Sequence, residues 1–229
     1  MNLQEVMSQL ESLGTEQTRK TYKRHGSGEN VFGVSFENLK KLAKKIKTNH
    51  ALACQLWNTK NVEAQSLATM ILDPKQLDEK TASSWIKGVN FSLLAGLLAG
   101  CIAESNFVRT VIDEWIDSDD EYIRQCGYDT FSHILKSDND ISNRECQKLM
   151  DKIEREINAS PNRAKYAMNG ALIAIGIYKP DLTEAALECA DRIGKVEVDH
   201  GDTSCKTPDA RAYIVKALNK KPKAKVAAR

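Results

Sequence analysis

Hydrophobic residues recur at intervals of three and four along most of the chain, which is the spacing of one face of an α-helix. The pattern appears in residues 3–13, 39–46, 67–71, 108–115, 123–134, 149–157 and 182–189. Strand-like alternation is confined to residues 195–199, and one short strand cannot form a sheet. The pattern therefore predicts an all-α protein of about a dozen helices.

Residues typical of helix starts punctuate this pattern. Ser35 stands before an apolar-periodic run as an N-cap, and Thr183 opens another helix. Pro74 and Pro161 are expected in first turns, and Thr207 is expected to cap a helix that Pro208 enters. Short connections between successive helices fit either a bundle or a solenoid of helix pairs. Abundant alanine at interior positions favours the solenoid, as a single domain over residues 1–219 with a basic tail over 220–229.

Composition narrows the class of protein. Of 229 residues, 28% are charged and 41% hydrophobic, which is ordinary for a globular chain and unlike a disordered one. The longest apolar run, residues 93–103, is too short to span a bilayer, and the N-terminus does not resemble a signal peptide. Six cysteines without a CxxC pair indicate reduced thiols. We therefore expect a cytoplasmic protein with no membrane partner.

Charge is distributed unevenly along the chain. Residues 1–60 hold ten Lys/Arg against five Asp/Glu, and residues 211–229 hold seven against none. The residues between them hold sixteen against twenty-six. If the two basic ends meet in space, they form one positive surface that attracts phosphates. The alternative for the last ten residues is a frayed basic tail.

Three stretches, in this order, resemble motifs of a known family. The first is Thr21–Arg24 followed by Val31–Val34, the second runs from Trp85 to Ala95, and the third is Glu121–Gln125. Together they are similar to the AlkD-like DNA alkylation repair family, whose members are built from HEAT-like helical repeats. The resemblance implies a HEAT-like superhelix that holds duplex DNA on a concave basic face and releases cationic 3- or 7-alkylpurines.

The chemistry of that family needs a carboxylate beside the sugar and aromatic faces that stabilise developing positive charge. By the resemblance, the catalytic tryptophan falls on Phe91, whose ring can still stack. The catalytic aspartate falls on Ala95, which cannot stabilise a cation, and a second tryptophan falls on Ile173. The phosphate-contacting arginine falls on Gln125, one position after Arg124. We therefore assign no catalytic residue.

Nucleic-acid contacts are predicted from the resemblance and from clustered basic residues. Four lysines lie on one helix as two pairs, and the members of each pair are four residues apart. Repulsion between their charges destabilises the helix unless an anion neutralises them. The predicted contacts are Tyr22, Lys23, Arg24, Lys40, Lys41, Lys44, Lys45, Phe91, Arg124, Gln125, Arg163 and Lys165. The alternatives are solvated basic faces for the cations, an interface position for Tyr22 and a core position for Phe91.

The segment from Val196 to Ala210 is the least ordinary. Asp199, His200, Asp202 and Cys205 lie within seven positions but match no zinc spacing, and we read the segment as a turn and expect no metal or cofactor. A nucleophilic pair of Cys205 and His200 is a weaker alternative. A further alternative places Asp199 or Asp202 where the family has its carboxylate.

Three functions stay open from the sequence. The first is a monomeric DNA-binding relative, for linear, damaged or branched duplex, with weak or no base excision. The second is a glycosylase that releases alkylpurines, so the sequence leaves enzyme activity undecided. The third is a helical-repeat scaffold that binds proteins, which the salt dependence of binding separates from the other two.

Overall fold

The computed structural model describes residues 1–137 and 141–220, and within these residues it contains thirteen α-helices and no strand. The all-α prediction is confirmed, whereas most of the expected basic tail lies outside the described residues. The helices are α1 (Leu3–Leu13), α2 (Glu16–Arg24), α3 (Phe36–Ile46), α4 (His50–Asn58), α5 (Val62–Ile71), α6 (Glu79–Lys87), α7 (Ser92–Ala103), α8 (Val108–Ile116), α9 (Glu121–Ser137), α10 (Asn143–Glu156), α11 (Asn162–Tyr178), α12 (Thr183–Ile193) and α13 (Ala210–Lys220). Short 3₁₀ turns follow α10 and precede α12.

From α3 onward the helices form two layers. Each odd-numbered helix, from α3 to α13, packs directly against the next odd-numbered helix. The even-numbered helices α4, α6, α8 and α12 pack mainly against these, whereas α10 packs against α12 as much as against α11. Because the odd-numbered helices contact one another in an unbroken series, we infer that they form the inner, concave side. We call their exposed side the inner surface.

Small residues allow the close approach of some helices. A Cβ atom on Gly127 of α9 would lie 2.7 Å from the backbone nitrogen of Ile116 on α8. A Cβ atom on Gly176 of α11 would lie 2.6 Å from the Cδ1 atom of Ile214 on α13. Neither position admits a larger side chain without a shift of the neighbour, so the small residues help to set the spacing of the helices.

The apolar core runs along the molecule between the two layers, in two adjoining parts. One part extends from α1 to the start of α9, and the other from α8 to α13. Large side chains such as Leu10, Leu67 and Leu98 are fully buried in the first part. No helix in the described ranges is long and apolar enough to cross a membrane.

The predicted helix starts at Ser35 and Thr183 are confirmed, whereas the placements of Pro161 and Pro74 need correction. The hydroxyl of Ser35 accepts a 3.3 Å hydrogen bond from the backbone N–H of Asn38, and Thr183 is the first residue of α12. Pro161 directly precedes α11 instead of lying in its first turn. Pro74 lies in a turn well before α6, whose N-cap is Asp78. A proline favours a turn as readily as a first helical turn, and here the aspartate supplies the cap.

Candidate nucleic-acid interface

Tyr22, from the first family-like motif, is almost fully buried. Its hydroxyl donates a 2.8 Å hydrogen bond to the carbonyl oxygen of Val34, and its ring centroid lies 6.4 Å from that of Phe91. Burial, with a smaller contribution from the negative charge of Glu63, raises the pKa of Tyr22 to about 12. The side chain therefore fixes the segment after α2, and its ring is not available to a ligand in this conformation.

The same segment is held by Glu63 of α5, which sequence reasoning missed. This side chain is fully buried, and its carboxylate accepts hydrogen bonds from the backbone N–H groups of Phe32, Gly33 and Val34 at 3.0, 2.5 and 3.1 Å. Gly33 has a φ of +86°, and a Cβ atom there would lie 2.2 Å from the carbonyl oxygen of Thr15. The motif is therefore a backbone loop that a buried carboxylate and a glycine hold in shape.

The second motif places two of the family's functional positions in the core. Phe91 is 2% exposed and precedes the first residue of α7. Ala95 is fully buried one turn later, so the family's carboxylate position holds a methyl group packed among apolar side chains. We correct the expectation that Phe91 stacks on a ligand, because its ring is enclosed by protein atoms. Ile173 is likewise buried.

In the third motif, Gln125 and Arg124 are occupied by internal contacts. The Nε2 of Gln125 donates to the carbonyl oxygen of Ser92 at 2.9 Å and to Oδ2 of Asp129 at 3.1 Å. The Nε of Arg124 donates to the carbonyl oxygen of Ser118 at 2.6 Å. Gln125 is 4% exposed and ties α9 to α7, whereas Arg124 braces the turn before α9. Their contacts support positioning roles in place of direct contact with a ligand.

Asp129 is a second residue that sequence reasoning missed. It lies on the inner surface of α9, where a Cβ atom on Gly96 of α7 would be 3.5 Å from its Oδ2. Burial raises the pKa of Asp129 to about 6, although the hydrogen bond from Gln125 opposes this shift. One turn later, His133 faces Gly100 in the same way, and burial lowers its pKa. Two glycines of α7 thus leave room for a carboxylate and an imidazole.

Residues 195–209, between α12 and α13, contact both the start of α11 and the end of α2; we call this segment the 195–209 loop. Asn162, at the start of α11, donates to the carbonyl oxygen of Asp199 at 2.6 Å and accepts from its N–H at 2.7 Å. At the far side, a Cβ atom on Gly201 would lie 3.6 Å from the carbonyl oxygen of Arg24. The loop therefore connects α11 with the end of α2.

Within this loop, the side chain of His200 contacts both Thr207 and Tyr166. Its Nε2 lies 3.0 Å from the hydroxyl of Thr207, and its ring meets Tyr166 of α11 edge-on at 5.6 Å. Partial burial lowers the pKa of His200, and the nearby positive charge of Arg163 adds to this. Thr207 does not cap α13 as predicted, because this helix begins at Ala210; Asp209 caps it by accepting a 2.7 Å hydrogen bond from the N–H of Ala212.

The other predicted residues of the loop form no site of their own. Cys205 is exposed and carries a free thiol. The carboxylate of Asp199 accepts a 2.7 Å hydrogen bond from the N–H of Gly201, as in a turn. In the described part of the chain, no group of three or more potential ligands could hold a metal ion.

The predicted cations remain largely available to a ligand. Lys40, Lys41, Lys44 and Lys45 are exposed on α3, and only Lys41 forms an ion pair there, with Glu37 at 2.7 Å. On α2, Arg24 is exposed and Lys23 is paired with Glu29. On α11, Arg163 and Lys165 are half-exposed. The 195–209 loop contacts both α2 and α11, the two helices that carry these groups.

Comparison with known proteins gives one family. The sequence model of a family described as "DNA alkylation repair enzyme" matches residues 6–214. The chain is 30% identical over 219 residues to uncharacterized protein Lmo0209 of Listeria monocytogenes and to uncharacterized protein Lin0241 of Listeria innocua. Each alignment covers 93% of this chain and 96% of the relative.

A solved structure has the same fold. Its TM-score is 0.88 at 36% sequence identity, over 96% of this chain and 94% of the other. That protein is described as one of "a new family of proteins related to the HEAT-like repeat DNA glycosylases with affinity for branched DNA structures". The predictions of a HEAT-like helical-repeat fold and of the family are confirmed.

Proposed function

The chain belongs to the DNA alkylation repair enzyme family, and on that premise we propose that it binds DNA, prefers branched structures to linear duplex, and does not excise alkylated bases through the family's carboxylate. It acts as a monomer in the cytoplasm and needs no cofactor. The preference for branched DNA follows from the likeness to a solved relative with that affinity.

The observation that carries DNA binding is the contact between the 195–209 loop and α2. Gly201 lies against Arg24, while Asn162 holds the other side of the loop next to Arg163. These contacts support one positive surface that combines the cations of α2 and α11, and we assign the α3 lysines to the same surface. Such a surface binds the phosphate backbone without regard to sequence and positions the DNA.

The proposed lack of excision rests on Ala95. Removing a preorganised charge that stabilises a transition state costs about 3 kcal/mol, or roughly a hundredfold in rate. Here the methyl group is also fully buried, so water cannot take the place of the missing carboxylate beside the sugar. Neither Phe91 nor Ile173 presents an aromatic face to a developing cation.

Base excision is the second candidate function, and one observation favours it. Asp129 offers a carboxylate on the inner surface, on the helix next to the one that carries Ala95. The test is the release of 3-methyladenine and 7-methylguanine from methylated duplex. Release at the level of a heat-killed control supports the proposal, whereas release that the Asp129→Asn variant loses would assign excision to Asp129.

Binding is tested by fluorescence anisotropy with a labelled four-way junction and a linear duplex of the same sequence. We expect tighter binding to the junction and an affinity that falls steeply with salt, with a logarithmic slope of about −0.9 for each phosphate contact on duplex. Equal affinity for both DNAs would contradict the preference for branches. Binding that does not change with salt would favour a protein-interaction scaffold.

A charge-matched pair of variants locates the surface. The first carries Lys40→Glu, Lys41→Glu, Lys44→Glu and Lys45→Glu on α3. The second places the same number of changes on exposed cations of the outer layer and its connections, namely Lys75→Glu, Lys80→Glu, Arg144→Glu and Lys148→Glu. Because the net charge is the same, only the first is expected to lose affinity and salt dependence. Equal losses would show that binding follows net charge alone.

A further inference from the structure

A cavity of about 380 Å³ opens beside the loop that follows α2. It lies where the C-terminal ends of α4 and α6 meet the N-terminal ends of α5 and α7. Its size falls in the range of small-molecule sites. Part of its wall comes from the second family-like motif, through Trp85 and Phe91.

Two tryptophans form one wall of this cavity. The indoles of Trp57 and Trp85 stack with their centroids 4.4 Å apart and their planes 9° from parallel. Both rings are almost fully buried, so little of either indole is open to the cavity. Within the described residues neither indole N–H donates a hydrogen bond. The stacked pair therefore keeps two donors unused.

Gln65 of α5 is the polar side chain that points to a ligand. It is 8% exposed, it lines the cavity, and its amide has no hydrogen-bond partner in the described residues. Its buried polar neighbours on the same helix are all satisfied: Glu63 by the segment before α3, and Ser66 by the carbonyl oxygen of Val62. An amide that lines a cavity and has no protein partner can bind what enters it.

The ends of four helices decide the chemistry of the occupant. The carbonyl ends of α4 and α6 offer acceptors, whereas the N–H groups at the start of α7 lack a side-chain cap. The amide of Gln65 has a donor and an acceptor side by side, so it can pair with a planar group that carries both along its edge. The edge of adenine has this arrangement. The uncapped end of α7 and the exposed Lys60 suit a phosphate.

We infer that this cavity binds a single unstacked nucleotide, with its base edge at Gln65 and its phosphate between Lys60 and the start of α7. The inference rests on the proposed function and deepens it. The cavity is lined by Gly28 and Glu29, a few residues beyond the cations of α2, so a nucleotide leaving a bound branch point reaches it. Unpaired bases at a branch cost little to unstack, which favours branched over linear DNA.

The first test uses 2′-deoxyadenosine monophosphate and the emission of the protein's own tryptophans, two of three of which line the cavity. We expect saturable quenching that Gln65→Leu weakens by about tenfold. Gln55→Leu, a change of the same kind at an exposed position of α4, leaves binding intact. Thermal melts by circular dichroism confirm that both variants fold. No quenching at millimolar nucleotide, or equal quenching by inorganic phosphate, overturns the inference.

The second test separates this inference from the proposed function. A four-way junction with 2-aminopurine at the branch reports the environment of that base, while anisotropy reports overall binding. We expect the signal of the bound base to change with wild-type protein and much less with Gln65→Leu. If the junction binds but both proteins give the same signal, the cavity is not the site and DNA binding stands. If the nucleotide binds but the junction does not, the proposed function fails alone.

Discussion

The hydroxyl of Tyr22 donates a 2.8 Å hydrogen bond to the carbonyl oxygen of Val34, twelve residues along the chain. The family resemblance assigns Tyr22 to DNA contact, but this hydrogen bond gives it a structural role, because it fixes the backbone at Val34. Since the ring also lies beside Phe91, one aromatic pair links α2 to the start of α7. Tyr22 and Phe91, both predicted to contact DNA, thus stabilise the fold that positions the exposed cations.

Removing the hydroxyl in Tyr22→Phe is expected to cost about 1 kcal/mol of unfolding free energy, because the buried carbonyl of Val34 loses its partner. Urea denaturation measures this loss. Junction affinity by anisotropy is expected to stay within about twofold of wild type, since no contact with DNA is removed. A large loss of affinity at unchanged stability would instead return Tyr22 to the DNA interface.

Glu63→Gln tests the buried carboxylate. The amide keeps the size of the side chain but replaces one acceptor oxygen with a donor that faces backbone N–H groups. We expect a loss of about 2–3 kcal/mol, because hydrogen bonds to a charged group are worth more than neutral ones. The control is Glu114→Gln, at an exposed position of α8. Equal denaturation midpoints for the two variants would show that the charge of Glu63 does not hold residues 32–34.

The helices could be read from the sequence because the signals are local. Ser35 and the apolar positions that follow it define α3 without reference to any other part of the chain. Glu63 could not be interpreted in this way, since its partners lie about thirty residues earlier and only the fold brings them together. For the same reason the resemblance placed Gln125 at a DNA contact, whereas the structure uses it to join α9 to α7.

Asp129 is expected to give the protein a pH dependence. Its pKa is about 6 in the folded state against 3.8 for an ordinary aspartate. The folded state therefore retains a proton between these values, and the stability that the neutral carboxyl contributes below pH 3.8 is lost as the pH rises through about 6. Asp129→Asn is expected to flatten this part of the stability curve.

The same carboxylate is expected to affect DNA binding, because its negative charge lies on the inner surface. Wild-type affinity for the junction should rise as the pH falls through about 6, as Asp129 becomes neutral. Other side chains also gain protons as the pH falls, so only the difference between wild type and Asp129→Asn isolates the aspartate. Parallel pH profiles for the two proteins would place Asp129 away from the bound DNA.

The 195–209 loop provides the last prediction. Asn162 holds it by two hydrogen bonds to the backbone of Asp199, so Asn162→Ala is expected to release the loop while α11 and α13 stay in place. Trypsin should then cleave faster after Lys195 and Lys206, which flank the released stretch. Junction affinity should fall as well, because the α2 and α11 cations lose their link. The control is Asn143→Ala, whose side chain bonds Asp181 at 3.0 Å at the start of α10. If both variants are cleaved at the wild-type rate, the loop is held by its other contacts, such as the 3.0 Å bond from Asn169 to the carbonyl oxygen of Pro208.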